Sequence, residues 1–283
     1  MQDGIHPCCL TIAGSDSGGN AGVQADLRAF HAFGVHGCTV FAAMTAQNPS
    51  AVSAVHELPP DFIAAQLDAV LGVYGIRALK TGMLSSPEAI GVVADRLSRH
   101  PEIAKVVDPV MVATSGARLI SDEAVGVLEE RLLPLASVIT PNLPEAHVLA
   151  GEGRAADASR REDGAAAARE LARLLGGRFG CAVLVKGGPG AGLSAVDVLY
   201  EPARAGEADG GFSEYSMPWI ENPASTHGTG CSLAAALAAG LALGRDLRTA
   251  VADAKRYVYE AIRTSYRVGP GGCAVLGFPH PFP

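Results

Sequence analysis

The sequence holds no CxxC pair. Its six cysteines, Cys8, Cys9, Cys38, Cys181, Cys231 and Cys273, show no zinc-site spacing. No apolar stretch reaches the roughly 18 residues a membrane span needs, and the Ala-rich run 233–243 is too short. The opening residues MQDGIHP lack a basic start followed by an apolar run, so no signal peptide is expected. A cytoplasmic setting with reduced thiols is the simplest expectation. Positive charge is also scarce: 22 Lys and Arg against 29 Asp and Glu give a formal net charge of −7. A nucleic-acid partner would be repelled overall, although a small local phosphate site is not excluded. The phosphate-loop string GxxxxGK[ST] is absent. Residues 190–195 match GxGxx(G/A), but they lead into a predicted strand, so the dinucleotide-binding context fails.

What is present is a globular composition, 48% hydrophobic and 18% charged, long enough at 283 residues to bury a substantial core. Short apolar runs at 8–13, 38–43, 76–80, 105–107, 137–140 and 182–186 read as buried parallel strands. Between them, helical patterns are expected at 21–33, 60–72, 87–99, 122–132, 143–150, 164–175, 231–243 and 246–266. In helix 60–72, Phe62, Ile63, Leu67, Val70 and Leu71 share a predicted apolar face. The alternation predicts a three-layer α/β/α domain, with helices on both faces of a mostly parallel sheet. Segments 195–200 and 212–219 read as an antiparallel hairpin, and the polar stretch 151–164 as a mobile surface loop. No linker divides the chain, so residues 1–283 are expected to form one domain, ending in a tail, 267–283, with no derivable role.

In doubly wound sheets, ligands bind beyond the carboxyl ends of the strands. Six predicted strands here end in polar or glycine residues: GSDSGGNAG (14–22), TAQN (45–48), TGM (81–83), DP (108–109), PNLPE (141–145) and GG (187–188). Together they predict one shared cleft. Residues 226–233, THGTGCSL, add a Gly-x-Gly turn directly before a helix. Such a helix start leaves backbone N–H groups unpaired and suits an anion, and Gly228 and Gly230 let the backbone approach it closely. A thiolate at Cys231 is expected to be stabilised in the same place. Glu145 is a candidate carboxylate for Mg²⁺, which prefers oxygen ligands.

The stretches TIAGSDSGGNAGVQADLRAF (11–30), MTAQN (44–48), KTGML (80–84), VVDPVM (106–111), ITPNLPEA (139–146), VLVKGG (183–188) and HGTGCSLAAAL (227–237) carry a resemblance. The chain resembles the hydroxymethylpyrimidine/phosphomethylpyrimidine kinases of thiamine biosynthesis, within the ribokinase-like superfamily. The resemblance implies a pyrimidine pocket of Gly14, Ala21, Asp26, Gln47 and Met83, with Asp26 and Gln47 hydrogen-bonding the aminopyrimidine edge. It implies that Asn142, Lys186 and Thr226 meet ATP, and that Glu145 and Asp108 lie at Mg²⁺. Asn142 with Glu145 is also a capping-box pattern. The Gly228, Thr229, Gly230 and Cys231 turn would form an anion hole, with Cys231 at the substrate hydroxymethyl oxygen as a candidate base. A homodimer is implied as well. Pyridoxal kinase activity and a non-catalytic pyrimidine binder are the alternatives. Three positions depart from the common pattern: Asn20 for Gly, Pro49 for Thr, and Thr114 for Lys.

Overall fold

The computed structural model describes residues 6–49, 51–112, 119–152, 164–187, 194–203 and 210–281. One sheet holds nine strands: β1 (Cys8–Asp16), β2 (His36–Asn48), β3 (Ala51–Glu57), β4 (Ile76–Thr81), β5 (Ala104–Val107), β6 (Val138–Ile139), β7 (Ala182–Val185), β8 (Ser194–Glu201) and β9 (Gly211–Pro218). Their spatial order is β3-β2-β1-β4-β5-β6-β7-β8-β9. The six central strands, β2, β1, β4, β5, β6 and β7, are parallel. Antiparallel β3 closes one edge, and the expected hairpin β8–β9 closes the other. The chain leaves β1 for β2 on one side and continues through β4 on the other. The order therefore reverses between β1 and β4, where ligand crevices form in such sheets.

Alternating strand residues face two separate cores. Leu10, Ile12, Leu79, Val107, Ile139 and Val183 pack on one side against helices α2 (Pro60–Leu71), α3 (Pro87–Leu97), α5 (Leu143–Leu149) and α6 (Gly164–Phe179). Cys9, Ala78, Val106, Val138 and Leu184 pack on the other side against α1 (Gly22–Ala32), α7 (Thr229–Ala242) and α8 (Leu247–Arg263). This is the three-layer arrangement expected from the alternation, with each fully buried aliphatic side chain contributing roughly 1.5–3 kcal/mol. The short helix α4 (Asp122–Val127) also lies on the first face. No helix among the described residues is long and apolar enough to cross a membrane.

Several boundaries differ from expectation for physical reasons. Strand β3 was not expected, because its AVSAVHE segment is exposed along almost its whole length and carries no core-facing pattern. The expected helix 122–132 is α-helical only to Val127; a π-helical turn, Leu128–Leu132, and a 3₁₀ turn, Leu133–Leu135, complete it. Pro134 has no N–H to continue an α-helical ladder at that point. The expected helix 246–266 stops at Arg263, and Tyr266–Val268 instead pairs antiparallel with Cys273–Val275 as a small ribbon, β10–β11, within the expected tail. In α2, Ile63 and Leu67 are buried as expected, whereas Phe62 is exposed. The expected loop 151–164, for residues 153–163, and Thr114 lie outside the described residues.

Candidate active site

The carboxyl ends of β1, β2, β4, β5, β6 and β7 converge on one cleft of about 900 Å³. Gly14, Ala21, Gln47, Met83, Asp108, Asn142, Glu145, Lys186, Thr226 and the whole 228–231 turn line it. Of the catalytic, substrate, ATP and metal residues predicted from the sequence, Asp26 alone is absent from this lining.

Lys186, just beyond β7, anchors one half of the cleft. Its backbone N–H donates to the Pro141 carbonyl at 2.8 Å, which docks the end of β7 beside the start of α5. Its Nζ donates to Asp108 Oδ1 at 2.8 Å and lies 4.0 Å from Glu145 Oε2. Thr140 Oγ1 also donates to Asp108 Oδ1, at 3.0 Å. Asn142 and Glu145 form a reciprocal capping box at the start of α5. The Asn142 N–H donates to Glu145 Oε2 and the Glu145 N–H to Asn142 Oδ1, both at 2.8 Å. Burial raises the Glu145 carboxyl above its usual range, despite the opposing pull of Lys186.

The α7 N-terminus faces this cluster. Gly228 caps it with φ at +89°, a left-handed geometry, and a Cβ there would sit 1.8 Å from the Asn20 carbonyl oxygen. Only glycine suits that position. A Cβ on Gly230 would lie 3.4 Å from Lys186 Nζ and 3.9 Å from Asp108 Oδ2, so the first turn of α7 and the charged cluster share one space. The Thr229 hydroxyl donates to the Thr226 carbonyl at 3.0 Å and braces the turn. Cys231 follows in the first helical turn. Burial pushes its thiol above the usual range, outweighing the nearby Lys80 charge, so the expected stabilised thiolate is not what the structure favours.

The other half of the cleft is built on the loop after β1. Asp16, almost fully buried, accepts from the Gly18 N–H at 2.8 Å through Oδ1, and through Oδ2 from Asn20 at 3.0 Å and Ala21 at 2.8 Å. His227 Nε2 stands 3.6 Å from Asp16 Oδ2 and 3.4 Å from Gln47 Nε2, and His227 Nδ1 is buried without a hydrogen-bond partner among the described residues. Thr45 Oγ1 donates to Gln47 Oε1 at 3.1 Å. Met83 closes the wall: a Cβ on Gly14 would meet its Cε at 2.5 Å. Asn20 has its backbone against Gly228 and its side chain donating to the Gly18 carbonyl at 2.9 Å.

Asp26 differs from its expected place. It is fully buried beneath the cleft floor: Lys80 Nζ donates to its two oxygens at 3.0 and 2.9 Å, and Thr11 Oγ1 to Oδ2 at 2.5 Å. Burial alone would lower the Lys80 pKa, but the Asp26 carboxylate outweighs it and raises it, so the pair is held as ions. Both oxygens are engaged within the core, and Asp26 does not line the cleft. A second buried pair, Lys255 Nζ with Asp197 Oδ2 at 2.8 Å, lines the β8 side, where Asp197 Oδ1 accepts from the Gly187 N–H at 3.1 Å.

Asp16, His227, Lys80 and the Asp197–Lys255 pair were not assigned roles from the sequence. Lys80 did leave a signal, since it falls in phase with the buried Ile76 and Ala78 of β4, out of phase with the exposed Arg77, and such a lysine needs a buried carboxylate.

Asp16 carries a testable pH signature. Burial raises its carboxyl, but His227 and the three backbone amides outweigh that and hold it below the usual range. The stabilisation is therefore complete above the unfolded value, about pH 3.9, and fades as pH falls through the lower folded value. Asp16→Ala is expected to lose about 1.5–3 kcal/mol at neutral pH. In urea melts the gap from wild type should narrow only below about pH 4; a gap constant with pH would place the effect elsewhere.

Comparison with known proteins agrees with this geometry. Residues 16–275 match the family model described as phosphomethylpyrimidine kinase. The thiamine biosynthesis bifunctional protein ThiED of Geobacter sulfurreducens is 47% identical over 93% of this chain, which spans 50% of that longer protein. The hydroxymethylpyrimidine/phosphomethylpyrimidine kinase of Rhizobium meliloti is 45% identical over 93% of this chain and 92% of its own length. Among solved structures, an ADP complex of Bacillus subtilis pyridoxal kinase superposes with a TM-score of 0.82 at 33% identity, covering 97% of this chain and 98% of that one. The chain thus spans about half of one curated relative and nearly all of another. With the cleft, the capped α7 turn and these matches taken together, the chain belongs to the phosphomethylpyrimidine kinase family, the hydroxymethylpyrimidine and phosphomethylpyrimidine kinases of thiamine biosynthesis.

Proposed function

We propose that this chain transfers the terminal phosphoryl group of ATP to the hydroxymethyl oxygen of 4-amino-5-hydroxymethyl-2-methylpyrimidine, and then phosphorylates the monophosphate. The observation that carries this is the meeting of the Lys186, Asp108 and Glu145 cluster with the α7 N-terminus at Gly230. Facing them across the same cleft are Gln47, Met83 and the loop after β1. The apolar side chains of Trp219, Val258 and Ile262 line the part of the cleft near β9 and α8, a surface suited to a flat nucleobase. Gln47 and Met83 offer a polar edge and an adaptable apolar wall for the pyrimidine.

Lys186, Asp108 and Glu145 carry a net charge of −1 when ionised, which alone would repel a phosphate chain. The oxygen donors suit Mg²⁺. Asp108 Oδ2 accepts no hydrogen bond among the described residues and points toward the Gly230 turn. Asp108 and Glu145 are the residues to hold the ion, which supplies charge neutralisation on the phosphates. Lys186 then orients the transferred group, and the backbone N–H groups of the first α7 turn take the developing charge. Because phosphoryl transfer has a loose transition state, a protonated Cys231 beside the hydroxymethyl oxygen is compatible with turnover, and positioning dominates over proton abstraction. A homodimer and a cytoplasmic setting belong to the same proposal.

Coupled ADP release with each substrate in turn tests it. A higher kcat/KM for the hydroxymethylpyrimidine than for pyridoxal is expected. Gln47→Ala should raise KM for the pyrimidine roughly 2- to 10-fold, the worth of one hydrogen bond to a neutral group, with little change for ATP. Preference for pyridoxal would overturn the substrate assignment, and absence of ADP release with either would overturn the reaction.

A further inference from the structure

The cysteine spacing in the sequence gives no metal site, but the sheet assembles ligands that the spacing separates. Cys8 opens β1 and pairs across the ladder with His36, the first residue of β2; Leu10 pairs with Cys38. Side chains two residues apart on a strand share a face. Cys8, His36 and Cys38 therefore project from the same side, at the end of the sheet opposite the cleft. Their ligand atoms all lie within 4.8 Å of one another, and the two sulfurs are 3.5 Å apart. The thiols are buried in the first core, at 6% and 7% exposure, while His36 is exposed and its ring stacks on Tyr74 with centroids 5.7 Å apart.

We propose that Cys8, Cys38 and His36 form a structural site for a thiophilic divalent cation, zinc in the first instance, with water completing the coordination at the exposed His36 side. Three atoms within 4.8 Å of one another leave a point no more than about 2.8 Å from each, so only small side-chain shifts reach the Zn–S and Zn–N distances of roughly 2.3 and 2.0 Å. Two sulfurs on one tetrahedral zinc stand about 3.8 Å apart, close to the 3.5 Å seen. Charge selects the ion. Two thiolates and one divalent cation make a neutral complex, the form an apolar core tolerates, whereas a monovalent soft ion would leave a buried net negative charge. Zinc replaces the two thiol protons, which pass to solvent, so the exchange balances without any oxidant. A disulfide suits the same pair less well. Cys8 and Cys38 are diagonal across a parallel ladder, where a strand spacing of about 4.8 Å and a two-residue rise of about 6.6 Å put the Cα atoms roughly 8 Å apart, beyond the reach of an unstrained bridge. The ion would tie the first residues of β1 and β2 together, next to the existing bond from the His36 N–H to the Pro7 carbonyl at 2.9 Å.

Cobalt(II) is the probe. The full chain, stripped with chelator under reductant, is titrated with Co²⁺ and then with Zn²⁺. One equivalent of cobalt is expected to give thiolate-to-cobalt charge-transfer absorption that zinc abolishes. Cys38→Ser should remove the band, and Cys273→Ser should keep it. Because serine at a buried position can unfold the chain, the exposed His36→Ala is the second variant. It should stay folded, keep its rate of ADP release, and bind cobalt more weakly by at least about tenfold, the loss seen when even an outer-shell partner is removed. The proposal is overturned by a wild type without the band, by a folded Cys38→Ser that retains it, or by unchanged affinity in His36→Ala. A band that vanishes instead in Cys231→Ser would move the metal to the cleft. A Cys8–Cys38 disulfide found by peptide mapping would replace the ion with a redox bond.

Discussion

Lys80→Met is expected to cost about 3–5 kcal/mol of stability, the largest single loss of any substitution considered, because it strands a fully buried carboxylate. Lys80 Nζ reaches both Asp26 oxygens. Without it, burial forces Asp26 to take up a proton in the folded state. A folded pKa raised above the unfolded value makes the unfolded chain the stronger acid. Stability is then least impaired at low pH and declines as pH rises from about 4 toward that raised value. The variant should accordingly be closest to wild type in acid and furthest from it at neutrality. Lys80→Met combined with Asp26→Leu should recover most of the loss, since an apolar pair of similar volume often matches a buried ion pair. Urea melts of the three variants across pH read this directly. A single variant as stable as wild type at neutral pH, or a double variant no better than the single, would show that the pair does not hold the floor of the cleft.

The second large effect concerns turnover. Gly230→Val is expected to reduce kcat by about 10²–10³-fold, the cost of removing one preorganised anion donor. Its branched side chain would occupy the space between the α7 turn and Lys186 Nζ, where a single Cβ already comes to 3.4 Å. Cys231→Ser, in contrast, keeps the backbone and a hydrogen-bonding group, so its loss should stay under about tenfold if the anion hole dominates. Rapid-quench measurement of the first turnover separates this from product release. A Ser variant reduced by about 10²–10⁴-fold would instead make the Cys231 thiolate the essential base, and a wild-type-like Gly230→Val would remove the turn from the mechanism.

Much of this architecture was legible because the punctuation is local. Gly, Pro and Asp close the central strands, and their apolar runs give each strand a recognisable core. Both halves of the cleft follow from that, including Gly14, Gln47, Met83, Asp108, Asn142, Glu145, Lys186 and the 228–231 turn. Features that depend on pairing across the chain were not visible. Asp26 looks like a pocket residue in its motif, and only the 54-residue separation closed by folding shows that Lys80 takes its oxygens. His227 was likewise quoted in a motif without a role, because its neighbours Asp16 and Gln47 arrive from β1 and β2. Strands β3 and β10 are mostly solvent-exposed, so burial left no periodic mark on them. The thiol of Cys231 was misjudged for a related reason: a helix terminus is visible in sequence, whereas the desolvation opposing it is a property of the packed cleft.

Glu145 gives α5 an unusual dependence. The carboxylate oxygen that closes the capping box by accepting the Asn142 N–H is the same one that stands 4.0 Å from Lys186 Nζ. Any ligand that draws this oxygen away must loosen the first turn of α5, and one that fixes it in place must tighten that turn. The Asn142 amide is therefore a built-in occupancy gauge. Its hydrogen-exchange rate is expected to follow ligand binding beside Lys186 although the amide itself need touch no ligand, which would make it a readout of binding independent of catalysis.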